Sequence, residues 1–231
     1  MSIKSSVVVV AAGKGSRMPG KIKKQFMFLG DKPVVSYSLE LFSKSDLVDE
    51  IILVTAKEDM EYCKGIVSDC DIHKVFKIIE GGSTRQESVY NGLRSVNKRA
   101  DVVIVHDAAR PFVDLLNLEE LIACAYKYRS STFGVLVKDT IKLKDDNMEV
   151  TDTLDRDKLV AVQTPQAFGY GEFLRAHELA KKMGYSGTDD TVLLEKCGIT
   201  TKVVCGSYFN IKITTKEDLV FADAIKRACL D

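Results

Sequence analysis

The sequence predicts an α/β fold in which helices cover both faces of a doubly wound, mostly parallel sheet. Short runs of apolar, β-branched residues alternate with segments of helical periodicity along most of the 231 residues. Strands that are apolar at every position are typical of a parallel sheet buried on both faces. A hydrophobic fraction of 45% and a charged fraction of 29% are those of a globular protein. We therefore expect a single domain over residues 1–231, with ligands bound at the carboxyl ends of its strands.

The predicted elements follow one another in a regular order. The runs expected to form strands are Val7–Ala12, Ile51–Thr55, Val75–Ile79, Val102–His106, Gly134–Val137, Thr201–Val204 and Phe209–Ile213. The segments expected to form helices are Val34–Phe42, Met60–Val67, Glu87–Val96, Leu116–Tyr128, Tyr170–Lys182, Asp190–Cys197 and Lys216–Ala228. Strands separated by helices in this way indicate successive βαβ units.

Residues 138–160 interrupt the alternation of strands and helices. Polar and apolar residues alternate there around a turn-like Asp145-Asp146-Asn147. The segment predicts a projecting, hydrophilic β-hairpin arm with no apolar face for its own domain. Because an isolated two-stranded hairpin is marginally stable in water, we expect the arm to pack against a second subunit as a dimerisation element. A mobile surface hairpin is the alternative.

Charge and composition exclude several classes of protein. Lys+Arg and Asp+Glu both number 33, so net charge gives no sign of nucleic-acid binding. The apolar run Val7–Ala12 is too short to cross a membrane or to form the core of a signal peptide. We expect a cytoplasmic protein without a membrane partner. The six cysteines form no C-x-x-C pair and, like the three histidines, suggest no set of metal ligands, so we expect structural cysteines.

The first candidate site is the loop that follows the first predicted strand, in VVVVAAGKGSRM, residues 7–18. Small residues with Gly13 and Gly15 allow backbone N–H groups to approach a phosphate closely. The spacing is that of neither a P-loop nor a dinucleotide-binding fingerprint, since Met18 replaces the third glycine. Four cationic residues follow at once, namely Arg17, Lys21, Lys23 and Lys24. Their position favours a triphosphate over solvent, and a tight turn without a ligand is the alternative.

The second candidate site is VVIVHDAARPF, residues 102–112, which brings Asp107 to the carboxyl end of a strand. Magnesium prefers carboxylate and phosphate oxygens, so Asp107 is a candidate metal ligand. The alternative is that Asp107 only caps the next helix. Residues 81–89, GGSTRQESV, place another glycine pair after a strand. Lys212, within FNIKITTKEDL, is expected inside a strand, where it either faces the site or points into water.

Eight motifs in this order closely resemble those of the methylerythritol phosphate cytidylyltransferase family. They are AAGKGSRM, the Lys-Gln at 24–25, GGSTRQESV, HDAARPF, the TLDR at 153–156, QTPQAF, GTDD and NIKITT. The resemblance spans nearly the whole chain. It implies a nucleotidyltransferase-type α/β fold, a homodimer with a hairpin arm, and a step of the non-mevalonate isoprenoid pathway with CTP and a sugar-alcohol phosphate as substrates.

The resemblance also implies a role for individual residues. Arg17 and Lys24 match the cationic pair that steadies the triphosphate, and Lys24 is chosen over its neighbours because it precedes Gln25. Asp107 matches the aspartate that coordinates Mg²⁺. The positions that match the cytidine pocket are Ala11, Ala12, Gly13, Gly15, Gly82, Ser88 and Ala108. Those that match the sugar-phosphate site are Arg156 and Lys212, which position the substrate, with Arg110, Thr140, Thr164 and Thr188. In this family the arm residues Thr140 and Arg156 serve the neighbouring subunit's site.

The implied reaction needs no activated side-chain nucleophile. A phosphate monoester has its second pKa at about 6 and is largely dianionic at neutral pH. Catalysis is then positioning and electrostatic stabilisation. A ribitol 5-phosphate cytidylyltransferase is the nearest alternative, but VAAG at 10–13 and HDAARP favour methylerythritol phosphate. A catalytically silent nucleotide-binding module is a further alternative, but it would have lost Lys24, Asp107 or Lys212. A dinucleotide-dependent oxidoreductase is disfavoured because Met18 replaces the third glycine of its fingerprint.

Overall fold

The computed structural model describes residues 3–13 and 23–229, and it contains an open sheet between two layers of helices. The strands are β1 (Ser5–Val10), β2 (Phe28–Leu29), β3 (Lys32–Pro33), β4 (Glu50–Thr55), β5 (Val75–Glu80), β6 (Val102–Asp107), β7 (Ser130–Leu136), β8 (Lys142–Lys144), β9 (Val150–Thr153), β10 (Val160–Gly169) and β11 (Lys202–Cys205). The helices are α1 (Val34–Lys44), α2 (Met60–Asp69), α3 (Arg85–Ser95), α4 (Leu118–Tyr128), α5 (Tyr170–Met183), α6 (Thr191–Glu195) and α7 (Lys216–Cys229).

The main sheet of the described residues has seven strands in the order β11-β7-β10-β6-β1-β4-β5. β1 pairs in parallel with β4 and β6, β4 with β5, and β7 with β11. Only β10 runs antiparallel to its neighbours in this sheet, β6 and β7. The predicted fold class is confirmed. Because β1 and β6 are adjacent and parallel, the loops that follow them meet at one edge of the sheet.

The hydrophobic core lies on both faces of the sheet. Val7 and Val9 of β1 pack on one face with residues of α1, α2 and α4, and Val8 packs on the other with residues of α3, α5 and α6. All three side chains are fully buried, and such burial is worth about 1.5–3 kcal/mol per valine. This explains why the strand is apolar at successive positions instead of at alternate ones.

Two predictions about strands are wrong. Residues 209–213 form a loop, in which the Ile213 N–H donates to the Ala109 carbonyl at 2.8 Å instead of joining a ladder. β10 was not predicted, because its QTPQAF stretch is polar and contains a proline. Its polar side chains are nevertheless buried and satisfied: Gln166 donates to Thr132 at 3.1 Å and to Asp189 at 2.7 Å.

The arm forms a β-hairpin as predicted, but its paired strands are short. Only β8 and β9 pair, and the carboxyl end of the predicted segment 138–160 already belongs to β10. Four apolar residues of the arm are exposed, namely Ile141, Leu143, Met148 and Val150. The predicted hairpin that stays outside the core is confirmed, and its apolar side chains are exposed together with its polar ones.

The remaining differences concern the ends of elements. The first strand ends at Val10 instead of Ala12, and α4 begins at Leu118 instead of Leu116. α3 begins at Arg85, because the Thr84 hydroxyl accepts the Glu87 N–H at 3.1 Å and so caps the helix. All six cysteines are free thiols. Among the described residues, no helix is long and apolar enough to span a membrane.

Candidate active site

The carboxyl ends of β1, β5 and β6 lie along one edge of the sheet and border a cavity of about 190 Å³. The sequence-predicted residues that line it are Ala11, Ala12, Gly13, Lys24, Gly82, Ser88, Asp107 and Lys212. The ends of adjacent parallel strands and the loop that carries Lys212 thus bring together residues as distant in the chain as Ala11 and Lys212. Gly15 and Arg17, which were predicted to belong here, lie outside the described residues.

The loop after β1 is held in place by the side chain of Gln25. Its Nε2 donates to the Ala11 carbonyl at 2.6 Å and to the Gly13 carbonyl at 3.1 Å, and the residue is only 2% exposed. These bonds occupy carbonyl oxygens that would otherwise lie near a bound anion. The loop therefore presents small side chains and backbone to the cavity, as binding of a nucleotide phosphate requires.

The loop after β5 is shaped by two glycines, at which any side chain would force neighbouring residues to move. A Cβ on Gly81 would lie 2.6 Å from the Ala12 Cβ, and one on Gly82 would lie 2.2 Å from the Glu87 Cβ. The Ser88 hydroxyl accepts the Gly82 N–H at 3.0 Å and donates to the Thr84 carbonyl at 2.9 Å. Ser88 thus fixes this loop as well as lining the cavity.

The structure distinguishes Lys24 from Lys23. Lys23 forms ion pairs with Glu58 at 2.8 Å and with Asp59 at 2.5 Å, and it does not line the cavity. Lys24 begins a short 3₁₀ helix, Lys24–Phe26, and does line it. The choice of Lys24 from the sequence agrees with this geometry, because Lys23 is engaged by two acidic residues elsewhere.

Asp107 lies at the centre of a chain of ion pairs. Its Oδ2 is 2.5 Å from the Lys212 Nζ and its Oδ1 is 3.0 Å from the Arg85 Nε. The Arg85 Nη1 in turn donates to the Asp190 Oδ2 at 2.7 Å. The alternative that Asp107 only caps a helix does not hold, since its carboxylate contacts two cations and the next helix begins at Leu118.

The charges of this chain shift the pKa values of its two carboxyl groups in opposite directions. Burial alone would raise the pKa of Asp107, but the charges of Arg85 and Lys212 outweigh it and hold that pKa well below its usual range. Burial raises the pKa of Asp190, and the single Arg85 charge that it shares with Asp107 offsets only part of that effect. Asp107 is therefore ionised at any physiological pH, as a metal ligand must be.

A second cavity, of about 550 Å³, adjoins the first. Among its lining residues are Arg110, Thr164 and Thr188, which were predicted to bind the sugar phosphate. The Thr164 hydroxyl accepts the Asp107 N–H at 3.1 Å, and Arg110 Nη1 donates to the Asn210 carbonyl at 2.6 Å. Both side chains are thereby fixed at the wall of the cavity.

His106 supports this wall from the inside. Its Nδ1 is 3.3 Å from the Thr164 hydroxyl and its Nε2 is 3.0 Å from the Arg110 carbonyl. Burial lowers the pKa of His106 to about 4, so the ring is neutral at neutral pH. It acts as a hydrogen-bonded spacer between Thr164 and the Arg110 carbonyl, both at the wall of this cavity.

Three predicted residues of the described chain line neither cavity. Ala108 is buried in the core, where its N–H donates to the Val10 carbonyl at 3.1 Å, and Ala109 lines the first cavity instead. Thr140 is exposed in the arm. Arg156 lines a separate cavity with Lys138 and donates to its carbonyl at 3.0 Å. Within one chain, the arm residues are therefore apart from the residues that they are predicted to assist.

Sequence reasoning missed Gln25, Arg85 and Asp190 as parts of the site. Each one stands inside a motif that was recognised, namely KQ, GGSTRQESV and GTDD. In the sequence, each of them is a polar or charged residue near a glycine or at the start of a helix. Such a residue ordinarily indicates a helix cap and not a functional site. Only the paired geometry shows that Arg85 and Asp190 face each other across 105 positions of sequence.

Comparisons with known proteins agree with this arrangement. The family model described as IspD, 2-C-methyl-D-erythritol 4-phosphate cytidylyltransferase, matches residues 5–228. A protein of that name from Clostridium botulinum is 48% identical over 222 residues, which are 96% of this chain and 97% of that protein. The crystal structure of 4-diphosphocytidyl-2C-methyl-D-erythritol synthase from Anaerococcus prevotii superposes with a TM-score of 0.86 at 33% identity, over 98% of this chain and 97% of that one. The 2-C-methyl-D-erythritol 4-phosphate cytidylyltransferase of Thermus thermophilus gives 0.79 at 27% identity, over 98% of this chain and 100% of that one.

Proposed function

This chain belongs to the 2-C-methyl-D-erythritol 4-phosphate cytidylyltransferase family, and we propose that it joins CTP to 2-C-methyl-D-erythritol 4-phosphate and releases pyrophosphate. The protein is a nucleotidyltransferase enzyme of isoprenoid precursor biosynthesis. The observation that carries the proposal is the pair of adjoining cavities. Their common lining residues are Arg85, Asp107 and Lys212. A nucleotide in one cavity and a phosphate ester in the other would meet at this ionic boundary.

The reaction is a displacement at the α-phosphorus of CTP. A phosphate oxygen of the sugar-alcohol phosphate forms a bond to the α-phosphorus. The bond between the α-phosphorus and the oxygen that bridges it to the β-phosphorus breaks, and pyrophosphate leaves with that electron pair. The attacking monoester is largely dianionic at neutral pH, since its second pKa is about 6. The chain therefore needs no general base, and the neutral, buried His106 is not required as one.

The work of the protein is to bring two polyanions together. Lys24 in the first cavity is placed to offset charge on the triphosphate, and Arg17 is proposed to assist it. Lys212 borders both cavities and is placed to orient the attacking phosphate, with Arg110 on the far wall. Fixed cationic groups aimed at developing charge are the largest single source of catalysis in such reactions.

Asp107 is proposed to hold a magnesium ion with the triphosphate. The residues fit such an ion: the carboxylate is ionised, stands at the boundary of the two cavities, and is 8% exposed. Magnesium is usually bound by one or two carboxylates together with substrate phosphates, and it neutralises charge on the phosphates when bound. Lys212 now pairs with Asp107 Oδ2 and would have to leave that oxygen if an ion bound there, which would free its ammonium group for the sugar phosphate.

We further propose that the protein acts as a homodimer in which Thr140 and Arg156 complete the neighbouring subunit's site. Arg156 is well suited to bind a phosphate, because its planar guanidinium can contact two oxygens. The apolar side chains of the arm, such as Leu143 and Val150, are exposed in one chain and available for pairing about a two-fold axis. The expectation that the enzyme acts in the cytoplasm stays a prediction.

One assay tests the substrate. Pyrophosphate release from CTP is measured with 2-C-methyl-D-erythritol 4-phosphate and, in parallel, with ribitol 5-phosphate at the same concentrations. We expect kcat/KM to favour the methylerythritol ester by at least about a hundredfold, as is typical where a site hydrogen-bonds its own substrate. Preference for ribitol 5-phosphate would replace the proposal by its alternative, and release with neither ester would refute a sugar-alcohol phosphate as the acceptor.

A further inference from the structure

Arg85 occupies an unusual position for the first residue of a helix. It begins α3 directly after the glycine loop, yet its guanidinium turns back toward β6 and not along its own helix. The Nε donates to the Asp107 Oδ1 at 3.0 Å and the Nη1 donates to the Asp190 Oδ2 at 2.7 Å. A single planar group is therefore held at both ends by carboxylates from different elements.

The Asp190 end of this bridge is rigid. The Asp190 side chain is 2% exposed, and its N–H donates to the Gln166 Oε1 at 3.3 Å. Gln166 lies in β10, in the middle of the sheet, and its Nε2 also binds Asp189. The position of Arg85 is thus set by the sheet as well as by α3.

The two cations on Asp107 are not equivalent. Lys212 offers a compact charge on a flexible stem with a single contact to Asp107, and its side chain is 37% exposed. Arg85 is planar, is fixed at a second point by Asp190, and is protonated at any pH of interest. A cation that bound Asp107 would therefore replace Lys212 more readily than Arg85.

We propose that Arg85, clamped by Asp190, is a positioning residue that orients the Asp107 carboxylate at the boundary of the two cavities. By holding Oδ1, it keeps Oδ2 turned toward the boundary, where Lys212 lies and where a divalent cation would bind with the triphosphate. This inference rests on the proposed function, because the cation that Asp107 receives is the one proposed above. It assigns the Arg85–Asp190 pair a role outside direct contact with substrate.

Two conservative variants test it. Arg85→Lys keeps the charge but cannot reach two carboxylates as a planar fork, and Asp190→Asn keeps the size but removes the charged anchor. Neither leaves a buried carboxylate wholly without a cation, so the fold should survive, which the thermal unfolding midpoint checks. Arg94→Lys is the matched control, since Arg94 lies on the same helix, is exposed, and lines neither cavity.

The main readout is the affinity for Mn²⁺ in the presence of an unreactive α,β-methylene analogue of CTP, followed by the electron paramagnetic resonance signal of free Mn²⁺. Loss of a residue that orients a metal ligand typically weakens metal affinity about 10–100-fold. We expect that loss in Arg85→Lys, a smaller loss in the same direction in Asp190→Asn, and none in Arg94→Lys. kcat should fall in parallel at saturating CTP.

Wild-type Mn²⁺ affinity in both variants would overturn the inference. So would a rise in the KM for CTP alone with unchanged Mn²⁺ affinity, because Arg85 would then contact the nucleotide directly. Failure of the proposed function looks different, since the wild-type enzyme itself would then release no pyrophosphate from CTP. If the wild-type enzyme turns over normally and both variants keep wild-type Mn²⁺ affinity, the proposed role of Arg85 is refuted and the proposed function is not.

Discussion

Two regions of the molecule differ in how completely one chain forms them. One is the boundary between the two cavities, and the other is the arm. At the boundary, Asp107, Arg85 and Lys212 are joined by ion pairs at 2.5 and 3.0 Å. In the arm, Thr140 is exposed, and the Arg156 guanidinium donates to the Lys138 carbonyl at 3.0 Å, a backbone group of the same arm. The first region is held together by ion pairs within one chain, and the second makes few contacts with the rest of the described residues.

The difference follows from what holds each region. The boundary residues stand at the ends of buried strands and helices, whose position the core fixes through side chains such as Val8 and Val9. The arm is a two-stranded sheet without a core of its own, and such hairpins are marginally stable alone. The groups that need a fixed geometry thus lie at the ends of core elements, whereas the arm has no comparable support among the described residues.

The largest effect is expected from Asp107→Asn, which tests whether the boundary is organised around one carboxylate. Turnover should fall roughly a thousandfold, the upper range for loss of one electrostatic stabiliser, and excess chelator should abolish wild-type activity. The fold should survive, because Arg85 keeps Asp190 as its partner. Circular dichroism checks the fold. Full wild-type turnover in excess chelator would remove the metal from the proposal.

The next effect separates two neighbouring lysines. Lys24→Ala should lower kcat roughly a hundredfold, because Lys24 lines the first cavity. Lys23→Ala is the matched control: it breaks the ion pairs with Glu58 and Asp59 and should change kcat less than about twofold. The result would contradict our assignment if the two variants were equally impaired or if Lys23→Ala were the slower one.

The residues at the boundary of the two cavities were predicted from the sequence far better than the position of the arm, because the boundary stands on buried strands. The strand Ser5–Val10 and the end of β6 are buried on both faces, so continuous apolar runs mark them, and Asp107 follows from their position. Lys212 was predicted to lie in a strand, but residues 209–213 form a loop. The Ile213 N–H binds the Ala109 carbonyl and anchors this loop, and the Lys212 side chain reaches Asp107.

What sequence reasoning missed depends on partners distant in the chain. β10 is polar, and its burial is possible only because Gln166 finds Thr132 and Asp189. Arg85 reads as an exposed residue at a helix start until Asp190, 105 positions away, is brought opposite it. Local periodicity carries no information about such pairs, so they were not predictable from one sequence.

A change in pH should distinguish substrate protonation from protein protonation at the boundary. The pKa of Asp107 is held well below its usual range, so Asp107 stays charged between pH 7 and 5. As pH falls through about 6, the attacking phosphate gains a proton, and kcat/KM should fall roughly tenfold by pH 5 with a limiting slope of one. A steeper slope would reveal an acid of the protein, and Asp190, whose pKa burial raises, is the first to test with Asp190→Asn.

The smallest effect is a recovery of activity, and it decides whether the arm acts within its own chain or across a dimer. Lys24→Ala and Arg156→Ala chains should each be nearly inactive alone. If Arg156 serves the neighbouring subunit, a mixed dimer has one site with both residues intact and one site with neither. An equal mixture forms mixed dimers from half of its chains, so activity should return to about a quarter of wild type.

Activity can recover only if the dimers exchange subunits. Native mass spectrometry of two differently tagged chains tests this, because mixed dimers have an intermediate mass. A mixture of Lys24→Ala with Asp107→Asn chains is the control, because both residues line the first cavity of one chain and no mixed dimer restores a site. Activity that stays absent after proven exchange would place Arg156 in its own subunit's site. The arm would then contribute only contact surface, and the two regions would differ in rigidity but not in which chain they serve.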